Sequence, residues 1–423
     1  MARPSTNDLI GEQEALADIP NALSHQRIIE TERAGYLVRQ YLYSSLYDRI
    51  STRPFLEEIE KRWIAFQLLS GLRDCHARSI HHGDIKAENI LVTSWNWIYL
   101  SDFAEFKPTH LPEDNPADFS YFFDTSGRRI CYVAPERFLS AGERTGEASV
   151  TDEMDIFSLG CVIAELFLEG TPLFTLSQLF KYRKGEYDPA QAYLGKIEDP
   201  EIRNLVQHMI NVDPSKRYSA EQYLNLWRRK AFPDYFYSFL HQYIGFITDP
   251  NPGRGSVIPE KQEIRSQADD RINRIYHDFD KISFFLGFES SQETAVHEKR
   301  AASKNGIIPV RLDIPNYQRQ SSAVRRRSVS SDDGTLIFLS LIASAIRNTS
   351  RATARVRACD IFLAFAERIT DEAKLDRCLP YLVSLLNDDA IIVRVAAVRT
   401  VTQLVRLSFL LSKYYWVFLT TRY

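Results

Sequence analysis

The sequence feature that most constrains the fold is the nearly all-apolar stretch TDEMDIFSLGCVIAELFLEG at residues 151–170. After its acidic start, this stretch carries apolar side chains around the whole circumference of a helix. A helix that is apolar on every side must be surrounded by other elements, so the segment predicts the central buried helix of a helical domain. At 423 residues the chain is long enough for two or three domains.

The composition excludes several classes of protein. An apolar share of 44% and a charged share of 25% are typical of a globular protein, and the net charge of −3 predicts no nucleic-acid partner. The five cysteines form no close-spaced pairs, which argues against a zinc site or a disulfide framework and favours a reducing compartment. No secretory signal or membrane-spanning run is present, and Ala2 stands where N-myristoylation needs glycine.

The elements that flank a polar motif can be predicted from periodicity. Residues 57–79 place large apolar side chains at helical spacing, and this predicts a helix. Residues 90–92 and 97–100 predict two short strands joined by a tight turn. The acidic, proline-bearing segment 108–126 predicts a long loop.

Between that helix and those strands lies IHHGDIKAENIL, residues 80–91, with His82, Asp84, Lys86 and Asn89 at relative positions 1, 3, 5 and 8. Phosphoryl transfer needs a carboxylate near the acceptor hydroxyl, a cation facing the transferred group and oxygen ligands for Mg²⁺. Asp84 is placed to accept the hydroxyl proton, and Lys86 to face the γ-phosphate. Asn89 offers a neutral carbonyl oxygen to the metal.

Four landmarks follow in the order of a protein kinase. The motif YLSDFAEF supplies Asp102 at the end of the second strand, where a second metal ligand would lie beside Asn89. CYVAPERF supplies Glu136, DIFSLGCVIAELF supplies Asp155, and DPSKRY supplies Arg217, which can pair with Glu136. In this order and spacing the motifs resemble the protein-kinase fold, which implies ATP and Mg²⁺ as cofactors. The resemblance assigns structural roles to Glu136, Asp155 and Arg217, and also to the histidine at position 82.

Longer segments narrow the resemblance. They are LYDRISTRPFLEEIEKRWIAFQLL, HGDIKAEN, TSWNWIYLSDFAEFKPTHLPEDNPADFSYFFDTS and MDIFSLGCVIAELF. These resemble the vacuolar-protein-sorting kinase subunits, the regulatory subunit 4 of class III phosphatidylinositol 3-kinase. The likeness is dense over residues 36–245 and looser over 335–405. The family architecture is a kinase-like domain, then HEAT repeats, then a WD40 propeller, and the 423 residues contain no propeller pattern.

This resemblance implies a regulatory or scaffolding serine/threonine protein kinase-like subunit of the class III complex, acting in endosomal and vacuolar sorting and in autophagy. Lys86 favours a serine/threonine over a tyrosine kinase. The alternative is a catalytically silent pseudokinase scaffold or helical-repeat adaptor without phosphotransfer. The implied partners are the lipid kinase catalytic subunit and its coiled-coil partners. The implied location is cytoplasmic, peripheral on endosomal and autophagic membranes through the complex.

Two departures from a typical kinase fall inside the motifs. Gly83 stands where most kinases have an arginine that grips a phosphorylated activation loop, so we do not expect phospho-activation. Ala104 replaces the glycine of the Asp-Phe-Gly turn, which narrows the backbone freedom of that turn. Neither departure removes a metal ligand.

A third departure leaves enzymatic activity open. No glycine-rich loop precedes the motifs, and the first lysine is Lys61, inside the predicted helix. Glu12 or Glu14 can be the remnant of the helix glutamate that pairs with the missing strand lysine, and the sequence does not choose between them. We therefore expect a form truncated at both ends.

The predicted fold class is an α+β kinase-like domain, mostly the helical C-lobe with an incomplete N-lobe, followed by the start of an all-α HEAT-repeat solenoid. The predicted segments are an N-lobe remnant at 1–40, the C-lobe at 41–245, a linker with one helix around 268–286 at 246–334, HEAT-type repeats at 335–407 and a divergent hydrophobic tail at 408–423.

Two of these segments have competing interpretations. In the repeat segment, Leu379-Pro380, Asp388, Val393-Arg394 and Ala397 match a HEAT pattern of two helices with an aspartate in the turn, but a plain four-helix domain is the alternative. In the linker, Arg325–Arg327 are interpreted as a solvated charge run, with a phosphorylation site at Ser328 as the alternative.

Overall fold

The computed structural model describes residues 6–32, 34–104, 106–140, 149–249, 267–287, 312–315 and 334–407. The chain forms two compact units. The first comprises Met1–Glu57 and Lys61–Phe236, and the second comprises Glu58–Glu60 and Tyr237–Tyr423. Among the residues described, no helix combines the length and the apolarity that crossing a bilayer requires.

The first unit contains nine α-helices and seven short strands within its described residues. The helices are α1 Thr6–Leu16, α2 Leu46–Ser51, α3 Glu58–His76, α4 Pro116–Phe122, α5 Asp152–Phe167, α6 Leu176–Arg183, α7 Pro189–Ala192, α8 Pro200–Met209 and α9 Ala220–Leu226. The strands are β1 Arg27–Glu30, β2 Gly35–Val38, β3 Ser44–Ser45, β4 Ile90–Val92, β5 Ile98–Leu100, β6 Leu111–Pro112 and β7 Phe138–Leu139.

The strands form three small sheets. β1 and β2 make an antiparallel hairpin, β3, β4 and β5 make an antiparallel sheet in that order, and β6 pairs with β7 in parallel. In the pair of strands predicted after the motif, Ile90 lies opposite Leu100 and Val92 opposite Ile98. Since the motif loop runs into β4 and residue 102 follows β5, this register brings the two motifs together at one end of the sheet.

The α5 helix is the centre of the first unit, as its all-apolar surface predicts. Every residue from Met154 to Phe167 is buried. Acidic residues fill the first turn, where carboxylates interact favourably with the positive end of the helix dipole. A Cβ atom added to Gly160 would lie 2.8 Å from the Cβ of Met209 on α8, so the two helices approach as closely as they do because residue 160 has no side chain.

The predicted loop at 108–126 contains β6 and the helix α4, so the prediction of a long loop was wrong. Pro116 is in the first turn of α4, where its missing N–H costs nothing, and the Asn115 side chain accepts a hydrogen bond from the N–H of Ala117 at 3.3 Å. A proline after an asparagine is compatible with both a loop and a helix start, and Pro116 lies at a helix start. Phe119 and the following Phe123 are buried beneath this helix.

The second unit consists of helices in its described residues. They are α10 His241–Thr248, α11 Gln267–His277, α12 Phe279–Phe285, α13 Thr335–Ile346, α14 Ala352–Ala366, α15 Asp371–Ala373, α16 Leu379–Leu385 and α17 Ile391–Leu407. The α11 helix packs against α13 and α14, and α17 packs against α14 and α16. Two helices thus lie where the sequence predicted one linker helix, and α11 is part of a packed core.

The turn between α16 and α17 contains the aspartate and is followed by the arginine that the repeat pattern singles out. The Asp388 carboxylate accepts from the N–H of Ala390 at 2.9 Å and pairs with Nε of Arg355 at 2.7 Å. The Arg394 guanidinium donates to the carbonyl oxygens of Asp388 at 2.7 Å and Asp389 at 3.0 Å. These contacts fix the turn through both its side chain and its backbone, and the HEAT assignment stays a prediction.

Several sequence predictions fall outside the described residues: the charge run Arg325–Arg327, the phosphorylation site Ser328, the tail at 408–423 and Ala2. Within the predicted N-lobe remnant, Glu12 and Glu14 both lie on α1, Glu12 partly buried and Glu14 exposed.

Candidate active site

Asp155 of α5 holds the backbone of the motif loop, residues 80–89, which lies between α3 and β4. Its carboxylate accepts from the N–H of His82 at 2.7 Å and from the N–H of Gly83 at 2.8 Å, and it is 1% exposed. Burial alone would raise the pKa of Asp155, but the hydrogen bond from His76, the nearby His82 and the Gly83 N–H outweigh it, so the pKa lies below its ordinary value. Asp155 therefore stays charged and fixes two successive backbone amides of the loop.

His82 ties the loop to the segment after β5. Its Nε2 lies 2.9 Å from the carbonyl oxygen of Ser101, its Nδ1 accepts from the N–H of Asp84 at 3.3 Å, and its ring stacks on Phe103 with centroids 4.6 Å apart. Burial lowers the pKa of His82, against the opposing charges of Asp155 and Asp84. These contacts correspond to a neutral imidazole that donates from Nε2 and serves as a structural tie.

The predicted residues Asp84, Lys86 and Asn89 lie together around one carboxylate oxygen. Oδ2 of Asp84 is 3.1 Å from Nζ of Lys86 and accepts from Nδ2 of Asn89 at 3.1 Å. The same oxygen is 2.6 Å from Nζ of Lys107, a residue that the motif spacing did not single out. Lys86 also donates to the carbonyl oxygen of Phe123 at 2.9 Å. A buried carboxylate thus lies among two ammonium groups and an amide, next to the start of the activation segment, which we define as residues 102–137.

The carboxylate of Asp102 forms an ion pair with Arg39. Its two oxygens accept from Nε of Arg39 at 3.0 Å and from a terminal nitrogen of the same guanidinium at 3.1 Å. Ser101 connects this carboxylate to the motif loop, since its hydroxyl lies 3.0 Å from the carbonyl oxygen of Asn89 and 3.4 Å from Oδ2 of Asp102. Arg39 follows β2 and gave no signal in the sequence, because nothing in its local pattern predicts a partner 63 residues away.

The donor set of this site suits Mg²⁺. The Asn89 amide uses its nitrogen towards Asp84, so the amide oxygen takes no part in those bonds. The Asp102 carboxylate, half-exposed at 49%, already holds a bidentate cation in Arg39. One carboxylate and one amide oxygen are the hard ligands that Mg²⁺ takes when it also binds phosphates and water. Asn89 and Asp102 would hold the metal, which would neutralise phosphate charge during transfer.

The activation segment ends in a buried ion pair. The Arg217 guanidinium donates to the two carboxylate oxygens of Glu136 at 2.6 and 3.0 Å. It also donates to the carbonyl oxygens of Glu153 at 2.8 Å and Asn211 at 2.7 Å, and its side chain has no exposed surface. The structure thus has the pair that the motifs suggested, and backbone contacts surround it.

Two family models match the sequence. The protein kinase domain matches residues 6–227, more than half of the chain. The middle domain of PIK3R4-like proteins matches residues 338–409. The predicted protein-kinase-like fold class is therefore confirmed, with a second family domain after it.

Curated relatives carry the likeness across both units. The putative serine/threonine-protein kinase VPS15 of Komagataella pastoris is 46% identical over 395 residues, which are 93% of this chain and 29% of the relative. The serine/threonine-protein kinase VPS15 of Saccharomyces cerevisiae is 40% identical over 414 residues, 91% of this chain and 28% of the relative. The probable serine/threonine-protein kinase vps15 of Dictyostelium discoideum is 53% identical over 263 residues, 62% of this chain and 12% of the relative.

The chain spans less than a third of the length of these curated relatives. Within that span, the resemblance to vacuolar-protein-sorting kinase subunits that the motifs predicted is confirmed. This chain belongs to the protein kinase domain family, and within it resembles the VPS15 serine/threonine kinases.

Proposed function

We propose that this chain is a serine/threonine kinase-type regulatory subunit of a phosphatidylinositol 3-kinase complex and carries the lower half of an ATP- and Mg²⁺-dependent phosphoryl-transfer site. The observation that carries the site is the cluster of Asp84, Lys86, Asn89 and Asp102 at one end of the β4–β5 pair. Each supplies a group that phosphoryl transfer uses: a base, a cation and two metal ligands.

Each residue has a defined task in this proposal. Asp84 orients the acceptor hydroxyl and takes its proton, while Lys86 faces the transferred phosphoryl group. Asn89 and Asp102 hold Mg²⁺ against the nucleotide phosphates. For this to happen, Lys86 and Lys107 must leave Oδ2 of Asp84, and Arg39 must leave Asp102, since those cations now occupy the atoms that the reaction needs.

A second candidate function, scaffolding without phosphotransfer, is favoured by those same ion pairs. The Asp84 carboxylate already pairs with two ammonium groups, and the Asp102 carboxylate already pairs with a bidentate guanidinium, so in this arrangement neither is open to a hydroxyl or a metal ion. The 423 residues also contain no glycine-rich loop and no lysine before Lys61 to hold the α- and β-phosphates. We therefore expect the 423-residue chain by itself to transfer no measurable phosphate.

The test compares the chain alone with the same chain joined, ahead of Tyr36, to the kinase N-lobe of a VPS15 relative. We expect the joined chain to show a thermal shift with ATP that requires Mg²⁺ and is lost in Asp102→Ala. Radiolabelled phosphate transfer should appear in the joined chain and disappear in Asp84→Asn. If the joined chain shows no nucleotide-dependent shift, the proposed site is wrong, and transfer by the chain alone would contradict the need for the upper half.

The proposed partners are the lipid kinase catalytic subunit and its coiled-coil partners, which bind to residues 335–407. Through that complex the chain would be peripheral on endosomal and autophagic membranes, where it would act in sorting and autophagy. The support is the outer face of α17, where Ile391, Val395 and Val398 are 67%, 61% and 56% exposed. Apolar side chains at this spacing form one stripe on a helix, and such stripes bind other helices.

The partner proposal predicts that a double change of Ile391 and Val395 to glutamate lowers co-purification of the lipid kinase while the melting temperature stays the same. The matched control replaces Thr353, which is exposed on α14 and lies outside this stripe, with glutamate. Equal recovery of the lipid kinase by wild type and the double variant would contradict docking on this face.

A further inference from the structure

Gly83 has a backbone conformation that disfavours an arginine, the residue that most kinases have there. Its φ is +75°, in the left-handed region that side chains with a Cβ rarely adopt. A Cβ at this position would lie 3.3 Å from Cγ2 of Val150 and 3.6 Å from the carbonyl oxygen of Ala104. The motif loop therefore offers the activation segment no side chain at position 83, but it does offer the backbone carbonyl of Gly83.

That carbonyl is bound by Arg137, which comes from the far end of the activation segment. The Arg137 guanidinium donates to the carbonyl oxygens of Gly83 at 2.6 Å, Thr109 at 2.7 Å and Pro108 at 3.1 Å. The residue is 2% exposed, and its guanidinium carbon lies 5.0 Å from the ring centroid of Phe123. A single cation thus joins the loop next to the proposed base to the first residues of the segment.

A second arginine, Arg128, holds the middle of the segment. It pairs with Glu88 at 3.0 Å and with the fully buried Glu165 of α5, and its guanidinium carbon lies 4.0 Å from the ring centroid of Tyr47. The Tyr132 hydroxyl donates to the other oxygen of Glu165 at 3.0 Å. Charge-assisted bonds to buried partners are among the stronger polar contacts in a protein, so this segment has a permanent ionic anchorage.

We propose that Arg137 is the positioning residue that holds the activation segment against the motif loop in place of a phosphorylated side chain, so that the segment is ordered without phosphorylation. Arg137 acts through the backbone of Gly83, one residue before Asp84, and through the backbone of Pro108 and Thr109, directly after Lys107. The inference rests on the proposed phosphoryl-transfer function for its purpose, but the ordering itself can be measured without any transfer.

The test is hydrogen–deuterium exchange on the full chain, comparing wild type with Arg137→Ala. Exchange should become at least about tenfold faster in residues 106–126 and 80–86, because the loss of three charge-assisted bonds lets the segment open locally. Residues of α8, which lie away from the segment in sequence and pack on α5, should exchange at the wild-type rate. Phosphatase treatment of wild type should change neither region.

Matched variants keep the test decisive. Arg129→Ala removes an exposed arginine from the same segment and should leave exchange as in wild type. Arg137→Lys keeps the charge but offers fewer donors in one plane, so it should give an intermediate rate, and it substitutes for the alanine variant if that variant does not fold.

Three results would overturn the proposal: unchanged exchange at 106–126 in both Arg137 variants, equal acceleration in α8, or acceleration at 106–126 after phosphatase treatment. In the joined chain, Arg137→Lys should lower phosphate transfer and keep the Mg²⁺-dependent nucleotide shift. If the joined chain that keeps Arg137 transfers no phosphate, the proposed function fails, while the exchange data still decide the role of Arg137.

Discussion

The two units bury arginine–carboxylate pairs in different ways. In the first unit, Arg217 has no exposed surface and adds backbone carbonyls to its bidentate bond with Glu136. In the second unit, Arg399 pairs with the buried Asp360 while its own side chain is 32% exposed, and Arg355 pairs with Asp388 in a turn. Buried charges in the first unit thus fix irregular loops, whereas in the second unit Arg399 joins two neighbouring helices and Arg355 joins a helix to a turn that has other contacts of its own.

The largest expected effect is that of Arg217→Ala, which breaks the buried pair of the first unit. Removing the arginine strands the Glu136 carboxylate and leaves the carbonyl oxygens of Asn211, Val212 and Glu153 without this donor, which costs about 3–5 kcal/mol. The free energy of unfolding, measured by urea denaturation, should fall by that amount. Lys216→Ala is the control, because its ammonium group, 67% exposed, forms only an i,i+3 pair with Asp213, and such pairs contribute less than about 1 kcal/mol. Equal losses for neighbouring positions 216 and 217 would count against the structural role of the buried pair.

A smaller effect is expected from Arg355→Ala in the second unit. Asp388 keeps its bond from the N–H of Ala390, and the turn keeps Arg394, so the loss should be about 1–3 kcal/mol. Urea denaturation followed by a signal from the second unit measures it. If this change costs as much as Arg217→Ala, the distinction between loop-fixing and helix-joining charges does not hold.

The smallest effects are pH dependences of opposite sign in the two units. Burial lowers the pKa of His82 below its ordinary value of 6.5. Below pH 6.5 the imidazole therefore binds a proton more readily in the unfolded chain than in the folded one. The contribution of His82 to the free energy of unfolding is full above pH 6.5 and is lost as the pH falls.

In the second unit, burial raises the pKa of Asp360 to about 6, with Asp313 adding to the effect and Arg399 opposing it. Between the ordinary value of 3.8 and about 6 the folded state holds the extra proton. Its contribution to stability is therefore full below pH 3.8 and is lost as the pH rises towards 6.

Native-state hydrogen exchange, corrected for the intrinsic rate at each pH, separates the two regions. Acidification from about pH 7 to pH 5 should weaken protection around residues 80–86, and the same change should strengthen protection in α14 and α17. Asp360→Asn should abolish the second trend and leave the first unchanged. Trends of the same sign in both units would contradict these assignments.

The comparison also shows which parts of the molecule the sequence could predict. The helix α5, the strand pair β4–β5 and the cluster of Asp84, Lys86 and Asn89 follow from local periodicity and fixed spacing, because each element's pattern is complete within about 20 residues. Glu136 and Arg217 could be matched only through the family motifs, since 81 residues separate them.

Contacts that sequence patterns do not encode were missed. Arg39 and Lys107 reach the proposed site carboxylates through long, flexible side chains, and neither residue lies in a motif of its own. The α4 helix was mistaken for a loop because Asn-Pro and acidic residues start helices as well as turns. The tertiary role of Arg137 likewise depends on three carbonyl oxygens, which every residue type provides equally.

The left-handed backbone at Gly83 also constrains the mutational routes open to this protein. Replacing glycine with arginine there would put a side chain on a strained backbone and against Val150. That strain would fall on the residue directly before Asp84. A phosphate-gripping side chain at position 83 therefore requires the loop that carries the proposed base to change its path.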